Sequence, residues 1–250
     1  MNNHLVLISG KSATGKSASL MDIKDSNGVL YCNCENNKKL PFSLAEPFKE
    51  LTITDPMTMY QVFDEAEKMP DAHSIVTDSL TFLMDLFETM YISNSSNTMK
   101  AWGDYAQYFK RLMNNYVARS TKNVIFTAHT SDIFNEAEMS QDTLVKVKGS
   151  IMNQGVESYF STVISTKKVS IKNLANYKND LLVITEDEEM LGFKYVYQTR
   201  LTKETVNERI RSPLKMWDIK ETYIDNNVQH VIDRLHKYYK TSAAPSTQTV

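Results

Sequence analysis

Gly10-Lys11-Ser12-Ala13-Thr14-Gly15-Lys16-Ser17 is the stretch from which the rest of the chain is read. It is a complete G-x-x-x-x-G-K-[ST] string, with an apolar run at 4–9 before it and, at 17–24, a segment whose spacing predicts a helix. Glycines at both ends let successive backbone N–H groups turn inward around an anion. A helix starting there would add its positive end, and Lys16 a mobile cation. Such a turn takes phosphate, with Gly10, Lys11, Ser12, Ala13, Thr14, Gly15, Lys16, Ser17 and Ala18 as its binding residues. The Ser17 hydroxyl stands where a metal ion on that phosphate needs an oxygen, so the expected ligands are ATP and Mg2+.

Outward from this string, short apolar runs alternate with longer amphipathic segments. Residues 28–33, 51–54 and 74–78 read as strands, and 57–69 as a helix with Val62, Phe63, Ala66 and Met69 on one face. Helical stripes follow at Leu80, Leu83, Met84 and Phe87, and at Trp102, Tyr105, Phe109, Leu112, Met113 and Tyr116, with a loop at 94–97 between them. Residues 123–128 are apolar enough for a buried strand. This alternation predicts an α/β fold with a mainly parallel central sheet flanked by helices. From 130 to 159 the periodicity lapses, and so long an irregular stretch is expected to be functional or mobile. Residues 162–171, 181–185 and 193–200 read as strands, the last two as a C-terminal β-hairpin across an acidic turn at 186–189. Residues 227–239 read as a closing helix. The expected organisation is one domain over 1–240 and a disordered tail at 241–250.

Composition narrows the classes. With 28 Lys and Arg against 30 Asp and Glu, the formal charge is −2, so a polyanionic partner would have to be met by local patches. No apolar run approaches the ~18 residues of a membrane span, and a cytoplasmic protein without a membrane partner is expected. Cys32 and Cys34 lack a second pair to complete a zinc site and read as structural thiols.

A bound triphosphate needs an acid at the end of a neighbouring strand. Asp78 ends the strand 74–78, where it serves as a magnesium ligand, as the N-cap of the helix from Leu80, or as both. Hydrolysis further needs a base for water, and Glu35 ends the strand 29–34, where strand ends converge on a ligand crevice.

In this order the motifs resemble those of RecA-like P-loop ATPases, and among them the compact single-strand annealing recombinases of bacteriophages, a RecA-like AAA ATPase group. Residues 10–17 match the phosphate loop, and the strand ending at Glu35 is similar to the catalytic-glutamate strand. Ile75-Val76-Thr77-Asp78-Ser79 is similar to an Asp-Ser form of the second acidic motif. Ser79 stands where many AAA-type ATPases carry glutamate. Val124-Ile125-Phe126-Thr127-Ala128-His129 resembles the sensor strand, with His129 where RecA has glutamine.

The resemblance implies catalysis by Glu35, Lys16 and His129, metal binding by Ser17 and Asp78, and DNA-lining loops at 93–100 and 130–155. Lys146, Lys148, Lys167, Lys168, Lys172 and Lys178 face a single acid, Glu157, between residues 143 and 179, and Lys146 and Lys148 are the DNA-binding candidates. Arg209 and Arg211, shortly before Pro213, resemble a basic pair that reaches a neighbouring subunit's ATP. On a strand the two would share a face.

The expected function is therefore a DNA-dependent ATPase that binds single-stranded DNA and promotes annealing or homologous recombination. It would act as a ring or filament of identical subunits, with a single-strand DNA-binding protein as a further partner and, for a phage-encoded chain, in the host cytoplasm. The alternatives are a hexameric helicase-type DNA motor and a non-hydrolysing nucleotide-sensing module that binds proteins.

Overall fold

The computed structural model describes residues 2–136 and 139–242. Its layers follow from alternation along β1 (Leu5–Gly10). Leu5 and Leu7 enter one apolar core, Val6 and Ile8 the other, so both faces of this strand are covered. The other strands are β2 (Val29–Asn33), β3 (Lys49–Thr52), β4 (Ser74–Asp78), β5 (Asn123–Asn135), β6 (Ser140–Val145), β7 (Thr162–Ser170), β8 (Phe193–Gln198) and β9 (Tyr223–Asp225). The helices are α1 (Thr58–Lys68), α2 (Leu80–Phe87), α3 (Thr98–Arg111), α4 (Ser150–Gln154), α5 (Ile171–Leu174), α6 (Glu186–Leu191) and α7 (Val228–Ser242).

The sheet runs β3-β2-β4-β5-β1-β7-β8-β9, with β6 paired to β5 off this path. From β3 to β7 all neighbours are parallel, and β8 and β9 extend the sheet antiparallel. One core packs α1, α2 and α3 through Phe63, Phe87 and Phe109, and the other packs α7 through Val228, Val231 and Leu235. Cys32 and Cys34 are free thiols buried in the first core, and burial pushes the Cys32 thiol up to about 12. No helix among the described residues is long and apolar enough to cross a membrane.

Four expectations are corrected by this architecture. The helix at 17–24 shrinks to a single 3-10 turn at Ala18–Leu20. The Ser19 hydroxyl donates to the Lys16 carbonyl at 2.6 Å, the acceptor that an α-helix would give to the Leu20 N–H, and Leu20 bonds Ser17 instead. No helix dipole therefore supports the phosphate loop.

The stretch 130–159 is ordered into β5, which runs on through Asn135, and the antiparallel β6, followed by α4. Residues 181–185 form no strand and no hairpin with 193–200. Thr185 caps α6 in a capping box, which places Glu186 to Glu189 in a helical first turn, where the dipole favours acids. The antiparallel extension is instead built from β7, β8 and β9. The expected tail begins inside α7, which reaches Ser242, and residues 243–250 lie outside the described residues.

Candidate active site

Strand register brings the sequence-predicted residues together. Gly10 pairs with His129 across β1 and β5, and Asn33 with Asp78 across β2 and β4, so the phosphate loop and the three polar strand tips lie along one edge of the sheet. Between them is a cavity of about 420 Å³ lined by Ser12, Ala13, Gly15 to Ala18, Glu35, Asp78 and His129. Tyr31, Lys38, Lys39, Leu40, Pro41, Tyr195 and Asn226 complete its wall.

The loop's shape needs its glycines. A Cβ on Gly10 would sit 2.1 Å from the Thr166 hydroxyl, and Gly15 adopts φ +94°, while Ala13 takes a left-handed φ of 58° at a cost of roughly 1 kcal/mol. Asn226 donates its amide to the Gly15 carbonyl at 2.8 Å and fixes the loop from β9's end. Lys16 is buried and folds back to donate to the carbonyls of Gly10 at 3.0 Å and Lys11 at 2.8 Å. Burial pushes its ammonium down to about 8, against the pull of Asp78 and Glu35.

Asp78 is buried at 2% exposure, yet no cation contacts it: Tyr31 donates its hydroxyl to Oδ2 at 2.8 Å and Thr127 donates its own to Oδ1. Burial, reinforced by Asp78, holds the Tyr31 phenol well above its usual range, so it remains a donor. Both of these contacts are with neutral hydroxyls. With the Ser17 hydroxyl in the same wall, this all-oxygen donor set fits a hard divalent cation such as Mg2+. No group of three or more His, Cys, Asp or Glu able to hold a metal occurs among the described residues.

Glu35 sits between two nitrogens. His129 Nε2 lies 3.4 Å from Oε1, and Lys38 Nζ lies 2.9 Å from Oε2. The His129 contact, with Lys38 behind it, holds the Glu35 carboxyl down at about 2 despite burial. His129 is placed by its N–H, which donates to the Thr81 hydroxyl at 3.0 Å, and by the ring of Phe82, which meets it edge-on.

The remaining predicted residues lie elsewhere. Gly10, Lys11 and Thr14 line a second cavity, of about 500 Å³, on the other side of the loop. There Lys11 pairs with Asp132 at 2.6 Å and Thr14 meets Thr166 at 2.5 Å. Lys148 pairs with Glu88 at 2.6 Å, and Lys146 is exposed, its N–H bonded to the His129 carbonyl. Arg209 and Arg211 are exposed and line neither cavity. They do not share a strand: Glu208 bridges to Thr143 and Arg211 to Val163 as isolated pairs.

Tyr31, Lys38, Thr127, Tyr195 and Asn226 were not anticipated. Only the alternation in β2 carried a signal for them, since Tyr31 and Glu35 are four residues apart and lie on one side of the strand path.

The model of the AAA domain family matches residues 2–197, a span that contains the loop, Glu35, Asp78 and His129. The match holds although Ser79 follows the strand-end acid. No curated protein matches the chain.

Proposed function

The chain belongs to the AAA domain family and is a nucleotide-binding P-loop ATPase; from that premise we propose that it hydrolyses ATP at the 420 Å³ cavity and uses the cycle to bind and release single-stranded DNA during annealing or recombination. The observation that carries the hydrolytic half is the convergence of Lys16, Ser17, Glu35, Asp78 and His129 on that one cavity. The loop amides and Lys16 hold the phosphates, Lys16 leaving its present carbonyl partners for the β and γ oxygens. Glu35 orients a water whose oxygen forms the new bond to the γ phosphorus while the bond to the β–γ bridging oxygen breaks, giving ADP and phosphate. Mg2+ held by Ser17 and Asp78 supplies charge neutralisation on the phosphate oxygens when bound. Residues 1–240 act as one unit in this reading.

Support for the DNA half comes from β5. It carries His129 at the cavity and then continues into a hairpin whose outer part exposes Ile133, Phe134 and Met139, side chains suited to stack on or wedge between unpaired bases. Lys146 is tied through its backbone to His129, so contact with the terminal phosphate and contact with DNA share one strand. Arg209 and Arg211, exposed and remote from this chain's own cavity, would meet ATP only across an interface with a second copy.

Anisotropy of a labelled single-stranded oligonucleotide tests the coupling. It should rise when a non-hydrolysable ATP analogue replaces ADP, and equal binding in both states rejects it. Phosphate release that is unchanged by single-stranded DNA rejects DNA dependence separately.

A further inference from the structure

Glu35 and Lys38 are the ends of a tight turn. The Lys38 N–H donates to the Glu35 carbonyl at 3.0 Å, and the two residues between, Asn36 and Asn37, both have left-handed φ, at 51° and 61°. That is the requirement of a mirror-image type I′ turn, and asparagine is the side-chain-bearing residue that tolerates it best. Asn33 staples the turn from inside β2: its carbonyl oxygen accepts the Glu35 N–H at 3.0 Å, and its amide donates to the Lys38 carbonyl at 3.1 Å. Asn33 is fully buried, so the turn is anchored from within the sheet, and its two ends, Glu35 and Lys38, line the cavity.

The Lys38 side chain on this turn is 68% exposed, and its ammonium rests on Glu35 Oε2. An ion pair with one partner so exposed contributes little and is readily exchanged. The same ammonium lines the wall that holds Lys16, Ser17 and Asp78, and its field opposes the charge of Lys16. In the present arrangement each oxygen of Glu35 faces one nitrogen, so a water taken up there competes with Lys38 or His129.

We infer that Lys38 is a terminal-phosphate sensor in cis: it rests on Glu35 when no γ-phosphate is present and transfers to that phosphate when a triphosphate binds, which uncovers one oxygen of Glu35 for water. The inference rests on the nucleotide reading above. A triphosphate brings more negative charge into the cavity than a diphosphate, and of the three lysines in its wall Lys38 is the exposed one whose ammonium rests on Glu35. Lys16, by contrast, is buried against its own loop. The swap would block hydrolytic geometry until the complete substrate is in place.

The test is a titration of the full chain with a fluorescent diphosphate and with a fluorescent non-hydrolysable triphosphate, with magnesium, in the native protein, Lys38→Met and Lys38→Arg. Lys38→Met should weaken the triphosphate roughly tenfold, the size of one charge-assisted contact. It should leave the diphosphate within about twofold. Lys38→Arg should restore most of the triphosphate preference. Equal weakening of both nucleotides, or an unchanged preference, overturns the sensor role. A native chain that binds neither nucleotide overturns the nucleotide reading itself. Because Lys38 is exposed, its replacement leaves the core intact, and an unchanged thermal midpoint will verify that.

Discussion

The two cavities that flank the phosphate loop are of similar size but hold their charged groups differently. On the 500 Å³ side, cations and anions are already matched: Lys11 with Asp132, which also accepts the Thr143 hydroxyl at 2.8 Å, and Lys167 with Glu208. On the 420 Å³ side Lys38 pairs with Glu35, but the buried Lys16 donates to backbone carbonyls and the buried Asp78 accepts from hydroxyls, so the contacts of these two groups are with neutral dipoles. A charge held by neutral dipoles retains its attraction for an incoming ion, whereas a paired charge has lost most of it. The comparison supports the proposed placement of the chemistry on the smaller side.

Substitutions sharpen or break this contrast. The largest effect belongs to Glu35→Gln, which keeps shape and removes the base. Steady-state phosphate release should fall on the order of 10²–10⁴-fold with nucleotide affinity little changed. A residual rate near that of the native chain would move catalysis away from Glu35. Next, Lys16→Ala should weaken nucleotide binding by about 100-fold in a fluorescence titration, since it removes a desolvated cation from the phosphates.

Asp78→Asn should then cost roughly tenfold in Mn2+ affinity, read by electron paramagnetic resonance in the presence of ADP. Tyr31→Phe should give a smaller loss in the same direction, because it takes one orienting hydroxyl from Asp78. The smallest effect is expected across the loop. Asp132→Ala removes an exposed pair, so it should change stability by less than about 1 kcal/mol in urea unfolding and nucleotide affinity by less than about threefold. A larger effect there would erase the distinction between the two sides.

pH separates the site from the frame. The Glu35 carboxyl is held at about 2, so it stays ionised throughout the neutral range. The stability it contributes is present above the ordinary carboxylate value and lost only as pH falls towards 2. At the opposite edge of the sheet, His4 and His236 lie 4.3 Å apart. Burial holds both below the ordinary imidazole value, repulsion from His236 lowers His4 further, and Lys240 lowers both against the pull of Asp233 on His236. A base with a depressed folded value favours the neutral native state. Stability should therefore be full above about 6.5 and decline as pH falls below it. Urea midpoints at pH 7.5 and 5.5 will read that decline, and His236→Asn should flatten it.

The contiguous parts of the site were legible in the sequence. The loop is one string, and Glu35, Asp78 and His129 each end an apolar run, so locating the strands located the acids and the imidazole. What escaped were contacts made by chain-distant segments: Asn226 reaches Gly15 across 211 positions, and Thr127 reaches Asp78 across 49. Local patterns misled where one side chain changed the outcome. The Ser19 hydroxyl ends a helix that spacing predicts, and the Thr185 cap turns an acidic hairpin tip into a helical first turn. The β5–β6 hairpin carried no period because its outer half is wet on both faces, and amphipathic pattern reports only elements with a dry side.

The bond from Asn226 to Gly15 also bears on where the functional unit ends. The family-matched span stops at residue 197, before β9, before α7 and before Asn226 itself. A fragment trimmed to that span would contain the phosphate loop, Glu35, Asp78 and His129. It would nevertheless lose the clasp on the phosphate turn and uncover Val6 and Ile8 on the strand that leads into it. The recognised span and the span that shapes the pocket thus have different boundaries in this chain, since Asn226 lies outside the first and lines the second.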